Sequence, residues 1–322
     1  MKKSLIALAA LAAVTAASAQ STVTLSGSVA LGLLVNGTTK ALQTTNVGGL
    51  DGSTSNMFVF TATEDLGAGL KATAVIQNRV NEFNADRASG DYFINVSGGF
   101  GQVRLGKFTF NSNSAYNPFF TRTVSRTDGN AQAGLANNNI QYSTPAFSGL
   151  TATVLYTAEQ SSTGTAGMGA KVVYAAGPLA VQLATSTAPN GTATGTEARV
   201  DSLGVSYDLG AAKLFMTTYD QKAGVSNSLG AGVATVNGVN NVALAAEKGN
   251  SIGISVPMGA LTLKAGLIDK KVNNLVDDRS SFGAEYALSK RTTLIAELGN
   301  AKAAVTGANK RTNYFVGAQH TF

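Results

Sequence analysis

The chain has 322 residues, with 24 Lys and Arg against 18 Asp and Glu, and it contains no cysteine. The positive excess is too small and too evenly spread to indicate nucleic-acid binding, and the lack of cysteine excludes disulfides and thiol chemistry. Only 13% of the residues are charged, whereas 44% are hydrophobic and 36 are glycine. The hydrophobic residues are not gathered into runs, which is typical of a β-barrel with an apolar outer face and a polar interior.

The first residues form a segment of their own. A basic start, "MKK", is followed by the apolar run "SLIALAALAAVTA" and the small residues "ASA". This order predicts a secretory signal peptide over residues 1–19, removed before Gln20. Residues 20–322 are then expected to form one domain, because no later run approaches the 18 apolar residues that a transmembrane helix needs.

A period of two recurs along the rest of the chain. In "TVTLSGSVALGLLV" (22–35) bulky apolar residues alternate with small or polar ones. "GLKATAVIQNR" (69–79), "ALTLKAGLI" (260–268) and "SFGAEYALS" (281–289) repeat the pattern. Because helical spacing fits none of these segments and glycine and β-branched residues are frequent, the pattern predicts strands.

The connections between these segments alternate in length. Short turns are predicted at 65–69, 97–101, 145–149, 176–179, 208–212, 257–260 and 288–292. Longer polar connections are predicted at about 37–55, 82–90, 109–136, 158–167, 187–198, 222–247, 271–279 and 301–311. The strands begin near 22, 56, 69, 91, 101, 137, 149, 167, 178, 198, 211, 247, 260, 279, 291 and 312. An even count with all short turns at one end predicts an all-β, 16-stranded antiparallel transmembrane barrel. The alternative, a soluble β-sandwich, has no reason to sort its connections by length.

The last strand, "NYFVGAQHTF" (313–322), has an apolar face formed by Tyr314, Val316 and Phe322. Pairing with the first strand would close the barrel and remove a sheet edge whose polar groups could not be satisfied in lipid.

His320, the only histidine, falls on the same outward face. A nucleophilic enzyme needs a base beside its nucleophile, so we expect no enzyme, and without a His/Cys cluster we expect no metal or other cofactor.

An aromatic girdle is predicted from the outward alternation of tyrosine near the strand ends. Its members are Tyr142, Tyr156, Tyr174, Tyr207, Tyr286 and Tyr314.

Five segments resemble the general porins of Gram-negative bacteria, most closely the beta-proteobacterial branch. They are "TEDLGAGLKA" (63–72), "SGGFGQVRLGK" (97–107), "NNNIQYSTPAFSGL" (137–150), "LSKRTTL" (288–294) and "GAQHTF" (317–322). The resemblance implies a sixteen-stranded homotrimer in outer-membrane lipid and lipopolysaccharide that passes small hydrophilic solutes by passive diffusion. It also implies that the terminal Phe322 is read by the barrel insertion machinery, and that the third outer loop narrows the pore.

The segment 109–136 is the longest connection, and connections of this length are usually functional or disordered. It mixes aromatic residues with Arg122, Arg126 and Asp128. We expect the aromatic residues to pack on the inner wall and the charged ones to face the channel. The alternative is an outer loop without fixed structure.

The resemblance also implies arginines on the wall opposite this loop, but the matching positions differ here. They hold Met57, Leu135 and Lys107, and Asp91 lies where some anion-selective relatives carry Arg. Strong anion selectivity is therefore not implied.

Alternation places several charged residues on the inward face. The cations are Lys71, Arg79, Arg104, Lys171 and Lys264, with Lys107 if the strand bulges near Gly106 and with Arg122 and Arg126 from the loop. The acids are Asp91, Glu285, Glu297 and Asp128. This slightly basic balance predicts a wide pore with at most a modest anion preference. A substrate-specific channel on the same barrel is the alternative, although neither an aromatic track nor a dense lysine cluster is evident.

Overall fold

The computed structural model describes residues 21–35, 42–46, 56–79, 89–108, 110, 116, 136–158, 166–188, 198–222, 246–272, 275–303 and 311–322. Nearly all of these residues form β-strands. Within these ranges, no helix has the length and hydrophobicity required to cross a bilayer.

Seventeen strand segments follow one another along the chain. The first nine are β1 (Thr22–Val35), β2 (Leu42–Asn46), β3 (Met57–Gly67), β4 (Leu70–Arg79), β5 (Ser89–Gly98), β6 (Gly101–Phe108), β7 (Ala136–Ser143), β8 (Leu150–Thr157) and β9 (Gly167–Ala176). The others are β10 (Leu179–Ala188), β11 (Ala198–Asp208), β12 (Lys213–Gln221), β13 (Glu247–Met258), β14 (Leu261–Val272), β15 (Leu275–Ala287), β16 (Thr292–Ala303) and β17 (Arg311–Thr321).

The strands form a closed antiparallel barrel. From β3 onward each strand pairs with the next strand in the chain, and β17 pairs with β1, from Ser28 opposite Thr321 to Val35 opposite Tyr314. β2 and β3 both pair with the other edge of β1 and together fill one strand position. The seventeen segments therefore occupy sixteen positions, which confirms the predicted barrel and its closure by the first and last strands.

The division of the second strand was not predicted, since 37–55 was expected to be loop throughout. β2 has the sequence "LQTTN", which lacks the hydrophobic alternation that would indicate a strand. At the break between β2 and β3, the backbone N–H of Ala30 donates instead to Oδ1 of Asn56 at 2.6 Å. The buried Asn56 side chain thus satisfies a donor that would otherwise lack a strand partner.

The predicted long connection at 271–279 was wrong in extent. β14 continues to Val272 and β15 begins at Leu275, so only residues 273–274 separate them. Asp278 lies within β15, in register with Lys302 of β16. The ends of these two strands carry polar side chains and show no alternation of hydrophobic residues, so the sequence pattern did not indicate a strand. The backbone pairing continues beyond the residues that face lipid.

The seven short turns were predicted correctly. Two of them share the sequence "DLGA", and in both the aspartate accepts a hydrogen bond from the backbone two residues later: Gly67 N–H to Asp65 Oδ1 at 2.9 Å, and Gly210 N–H to Asp208 Oδ1 at 2.7 Å. Both glycines have positive φ, 78° and 82°, which other residues adopt at a cost. These side-chain hydrogen bonds help to fix where the strands reverse.

The two faces of the barrel differ in polarity as predicted. The outer face carries exposed apolar residues, such as Leu25 and Leu183 with exposed fractions of 53% and 60%. All six girdle tyrosines are exposed as well. Buried polar residues, including Gln141, Ser202 and Thr217, occupy inward positions. An apolar outside and a polar inside are what a barrel in lipid with a hydrated interior requires.

The pairing between β1 and the C-terminal strand extends to Phe322. Gly27 and Phe322 exchange two backbone hydrogen bonds of 3.0 and 3.1 Å, and the Phe322 ring lies against Gly27 on the outer face. Phe322 therefore extends the β1–β17 pairing by one residue beyond the end of β17.

Removal of Phe322 is expected to destabilise the barrel by about 2–5 kcal/mol, since it deletes both hydrogen bonds and the ring contact. Phe322→Ala keeps the backbone bonds and is expected to cost about 1–3 kcal/mol. Urea unfolding of barrels refolded into lipid vesicles measures both values. Equal losses in the two variants would contradict a role for the terminal hydrogen bonds.

Candidate functional site

One side of the lumen carries several charged groups with few carboxylates. Arg79 of β4, Arg104 of β6 and Lys171 of β9 lie at inward strand positions, together with Asp91 of β5. The Asp91 carboxylate attracts both arginines, and Arg104 repels Lys171. These four residues, which we term the cationic wall, therefore act as a single electrostatic unit with three positive charges and one negative charge.

Arg104 is held against the wall by aromatic rings. Its guanidinium lies 4.3 Å from the ring centroid of Phe93 and 5.2 Å from that of Phe108. The two rings meet edge to face with centroids 6.1 Å apart, and Phe108 is fully buried. Cation–π contacts of this kind fix the position of a charge without neutralising it.

Phe110, at the start of the segment 109–136, contacts the same region. Lys171 Nζ donates to the carbonyl oxygen of Phe110 at 3.2 Å and lies 5.1 Å from the centroid of its ring. The Phe110 ring covers Gly169, where a Cβ atom would come within 2.5 Å of it. Lys171 thus both adds charge to the cationic wall and binds the loop backbone.

A second loop residue, Tyr116, lies against β11. Its ring covers Gly204 so closely that a Cβ there would come within 2.5 Å of it. The exposed fractions of Tyr116 and Phe110 are 5% and 3%, and burial raises the pKa of the Tyr116 hydroxyl. At these two points the segment 109–136 lies inside the barrel against its wall.

Two lysines on the other side of the lumen are paired with carboxylates. Lys264 Nζ lies 2.6 Å from Glu285 Oε1, and Lys270 Nζ lies 2.7 Å from Glu247 Oε1. Tyr219 donates a further hydrogen bond to Glu247. These two lysines are therefore each compensated by an adjacent acid.

Three other candidates are not part of the cationic wall, although Met57 is in register with Arg79. Lys71 is exposed at the short-turn end of β4, in register with Ser97. Met57 faces the lumen, where its sulfur accepts a hydrogen bond from Gln77 Nε2 at 3.1 Å. Lys107 is in register with Tyr92, next to a shift in the β6–β7 pairing between Gly106 and Phe108.

Several predicted site residues lie outside the described part of the chain. They are Arg122, Arg126, Asp128 and Leu135. The proposed signal peptide, residues 1–19, also lies outside it.

His320 lies on the exposed outer face, near the short-turn end of β17. Its Nδ1 and the hydroxyl of Thr292 are 2.9 Å apart. The only histidine of the chain is therefore separated from the lumen by the barrel wall.

Sequence reasoning missed the two glycines on which the loop rests. Gly169 and Gly204 are strand-interior glycines at inward positions. Glycine inside a strand is a known sign of close approach by another group, and that signal was present in the sequence.

Comparisons with known proteins agree with this architecture. The family model for Gram-negative porins matches residues 7–306. Outer membrane porin protein 32 of Delftia acidovorans is 33% identical over 99% of this chain and 95% of its own length. The major outer membrane protein P.IB of Neisseria meningitidis serogroup B is 31% identical over 48% of this chain and 49% of its own length.

Solved structures show the same fold. The anion-selective porin from Comamonas acidovorans matches with a TM-score of 0.74 and 22% identity, covering 94% of this chain and all of that one. OmpT of Vibrio cholerae, in a structure described as a trimer form, matches with a TM-score of 0.67 and 16% identity over 94% of this chain and 99% of that one. The chain belongs to the Gram-negative porin family and is a diffusion channel of the outer membrane.

Proposed function

We propose that this porin is a weakly selective pore with a modest preference for small anions, set mainly by the cationic wall. The observation that supports it is the difference between the two sides of the lumen. Among the described residues, Arg79 and Arg104 share one acid, Asp91, and Lys171 adds a third positive charge beside Arg104, whereas Lys264 and Lys270 each have their own acid.

The size of the preference follows from screening. Charges lining a narrow, partly desolvated passage favour ions of opposite sign because the local dielectric is lower than in bulk water. In a wide lumen, salt screens a charge over about 8–10 Å, and Asp91 offsets part of the field. We therefore propose a weak preference and not strict exclusion of cations.

The constriction is proposed to be the segment 109–136. The contacts of Phe110 and Tyr116 with the inner wall support this proposal. Arg122, Arg126 and Asp128 are proposed to face the channel from this segment, and Lys71 to add positive charge to the lumen near the short turns. Lys107 is in register with Tyr92 on the outward face and is not proposed as part of the constriction. The Comamonas relative, which is described as anion-selective, supports the sign of the preference.

The remaining partners are proposals as well. We propose a homotrimer, which the trimer form of the Vibrio cholerae relative supports, in contact with outer-membrane lipid and lipopolysaccharide. The barrel insertion machinery is proposed to read the C-terminal face of Tyr314, Val316 and Phe322. Residues 1–19 are proposed to be the export signal, and no catalytic role is proposed for the barrel.

Reversal potentials across a planar bilayer with a KCl gradient test the selectivity. We expect a reversal potential slightly on the anion side, which corresponds to a chloride-to-potassium permeability ratio of about two to five. A value on the cation side would contradict the proposal. Sugars or phosphate that block the current at millimolar concentration would instead support the substrate-specific channel.

A further inference from the structure

A β-bulge interrupts the pairing of β6 and β7 at the inner wall. Gly106 of β6 is in register with Asn139 of β7, but Phe108, two residues on, is in register with Ala136, three residues back. One extra residue therefore lies on β7. Asn138, within this stretch, has a φ of 61°, in the left-handed region that asparagine adopts more readily than most residues. Bulges of this kind re-aim the side chains beside them.

The side chain of Asn139 bridges the two strands on either side of it. Its Nδ2 donates to the carbonyl oxygen of Phe108 at 3.0 Å, and its Oδ1 accepts a hydrogen bond from the Thr157 hydroxyl of β8 at 2.6 Å. Because a carbonyl oxygen can only accept, the amide nitrogen must face Phe108 and the amide oxygen must face Thr157. The chemistry of the two partners therefore fixes the orientation of the Asn139 amide.

This network is shielded from water. The exposed fractions of Asn139, Thr157 and Phe108 are 1%, 1% and 0%. A buried polar group that loses its partner pays the full cost of its desolvation, so the two hydrogen bonds resist exchange. The backbone N–H of Ala158 also donates to the carbonyl oxygen of Asn138 at 3.0 Å. The bulge is thus held from β8 through both its backbone and the Asn139 side chain.

Phe108 joins this network to the cationic wall. Its ring meets the Phe93 ring edge to face, and the guanidinium of Arg104 lies against both rings. Within the described part of the chain, the buried Nε of Arg104 has no hydrogen-bond partner. The two rings, together with the attraction of Asp91, therefore determine where this charge stands in the lumen.

We propose that Asn139 is a positioning residue of the pore, which holds Phe108 and through it the guanidinium of Arg104. The inference rests on the role of the cationic wall in the proposed function, and it adds an uncharged residue to the determinants of selectivity. Without the two hydrogen bonds, the end of β6 shifts and the Phe108 ring no longer supports the guanidinium. The charge then acts on a passing ion from a greater average distance, and its effect falls.

Reversal potentials in a KCl gradient test this proposal. Asn139→Leu has a similar volume but removes both hydrogen bonds, and it should lower the chloride-to-potassium permeability ratio by about twofold, less than the ~threefold effect of losing one unit charge. Thr157→Val removes one of the two bonds and should shift the ratio in the same direction by less. Thr157→Ser keeps the hydroxyl and should match the parent.

Thr217→Val is the matched control. Thr217 is a fully buried threonine of β12 that bonds the hydroxyl of Ser251 on β13, and neither strand pairs with a strand of the cationic wall. Urea unfolding should show similar losses of stability in Thr157→Val and Thr217→Val, whereas only Thr157→Val should shift the permeability ratio. An equal shift in Thr217→Val, or none in Thr157→Val, would mean that the Asn139 network is merely structural.

A double-mutant cycle shows whether Asn139 acts through Arg104. In the Arg104→Gln background, Asn139→Leu should cause no further shift of the permeability ratio, because the charge that it positions is gone. Additive shifts would overturn the proposal, and Thr157→Val replaces Asn139→Leu in the cycle if the latter fails to fold.

The same measurements separate this inference from the function on which it rests. A parent without an anion preference would reject the proposed function and this inference with it. A shift of the reversal potential in Arg104→Gln, with none in Asn139→Leu, would reject this inference alone.

Discussion

Replacing Arg104 and Lys171 by glutamine is expected to move the reversal potential toward the cation side. The two side chains supply two of the three positive charges of the cationic wall. A unit charge about 6 Å from a passing ion in water interacts with it by about 0.7 kcal/mol, or roughly a threefold change in local concentration. The double variant should therefore lose the anion preference, and the effect should be largest in dilute salt, where screening is weakest.

The opposite shift is expected for Asp91→Asn. Asp91 attracts both Arg79 and Arg104, so removing its charge leaves both guanidinium groups less compensated. The anion preference should rise by about threefold, measured as the reversal potential in the same KCl gradient. The Arg104/Lys171 double variant and Asp91→Asn change neighbouring groups. Shifts of the reversal potential in opposite directions would therefore show that the local electric field sets the selectivity.

Lys302→Gln serves as the control for both experiments, because Lys302 is exposed on the outer face of β16. Its loss of one positive charge, half of that in the Arg104/Lys171 double variant, should leave the reversal potential unchanged. If this control shifts the reversal potential half as far as the double variant does, the net charge of the protein and not the cationic wall would determine selectivity.

The barrel was predictable from the sequence because lipid enforces a simple rule. Every outward residue of a spanning strand must be compatible with lipid, so segments such as "TVTLSGSVALGLLV" carry a visible period of two. The glycine-containing turns at Asp65 and Asp208 then marked where strands reverse. Where strands leave the lipid, as in β2 and the start of β15, the period disappears although pairing continues.

The candidate site was less predictable, for a physical reason. Alternation identified Arg79, Arg104 and Lys171 as inward residues, but it carries no information about distances across the lumen. Whether a lysine is compensated depends on which carboxylate the neighbouring strands bring beside it, as Glu285 is brought to Lys264. The contact of Tyr116 with Gly204 joins residues far apart in the chain, and no local pattern records it.

Gly204→Ala is expected to release the segment that contains Tyr116 from the wall while leaving the barrel folded. The new Cβ atom would lie 2.5 Å from Cδ2 and 2.6 Å from Cγ of Tyr116, well inside normal van der Waals separation. The neighbouring strands hold Gly204 through backbone pairs to β10 and β12, so the loop should move and not the wall. The measurement is single-channel recording, in which larger or more variable conductance steps are expected.

A double-mutant cycle with Tyr116→Ala makes this test specific, because removing the ring also removes the overlap. If the Tyr116–Gly204 contact holds the loop, Gly204→Ala/Tyr116→Ala should resemble Tyr116→Ala alone, with non-additive effects on conductance. Gly249→Ala is the matched control. It crowds Tyr219, a residue of the barrel wall and not of the loop, so it should affect stability without changing the conductance steps. Additive effects, or equal changes in the control, would mean that the loop is held elsewhere.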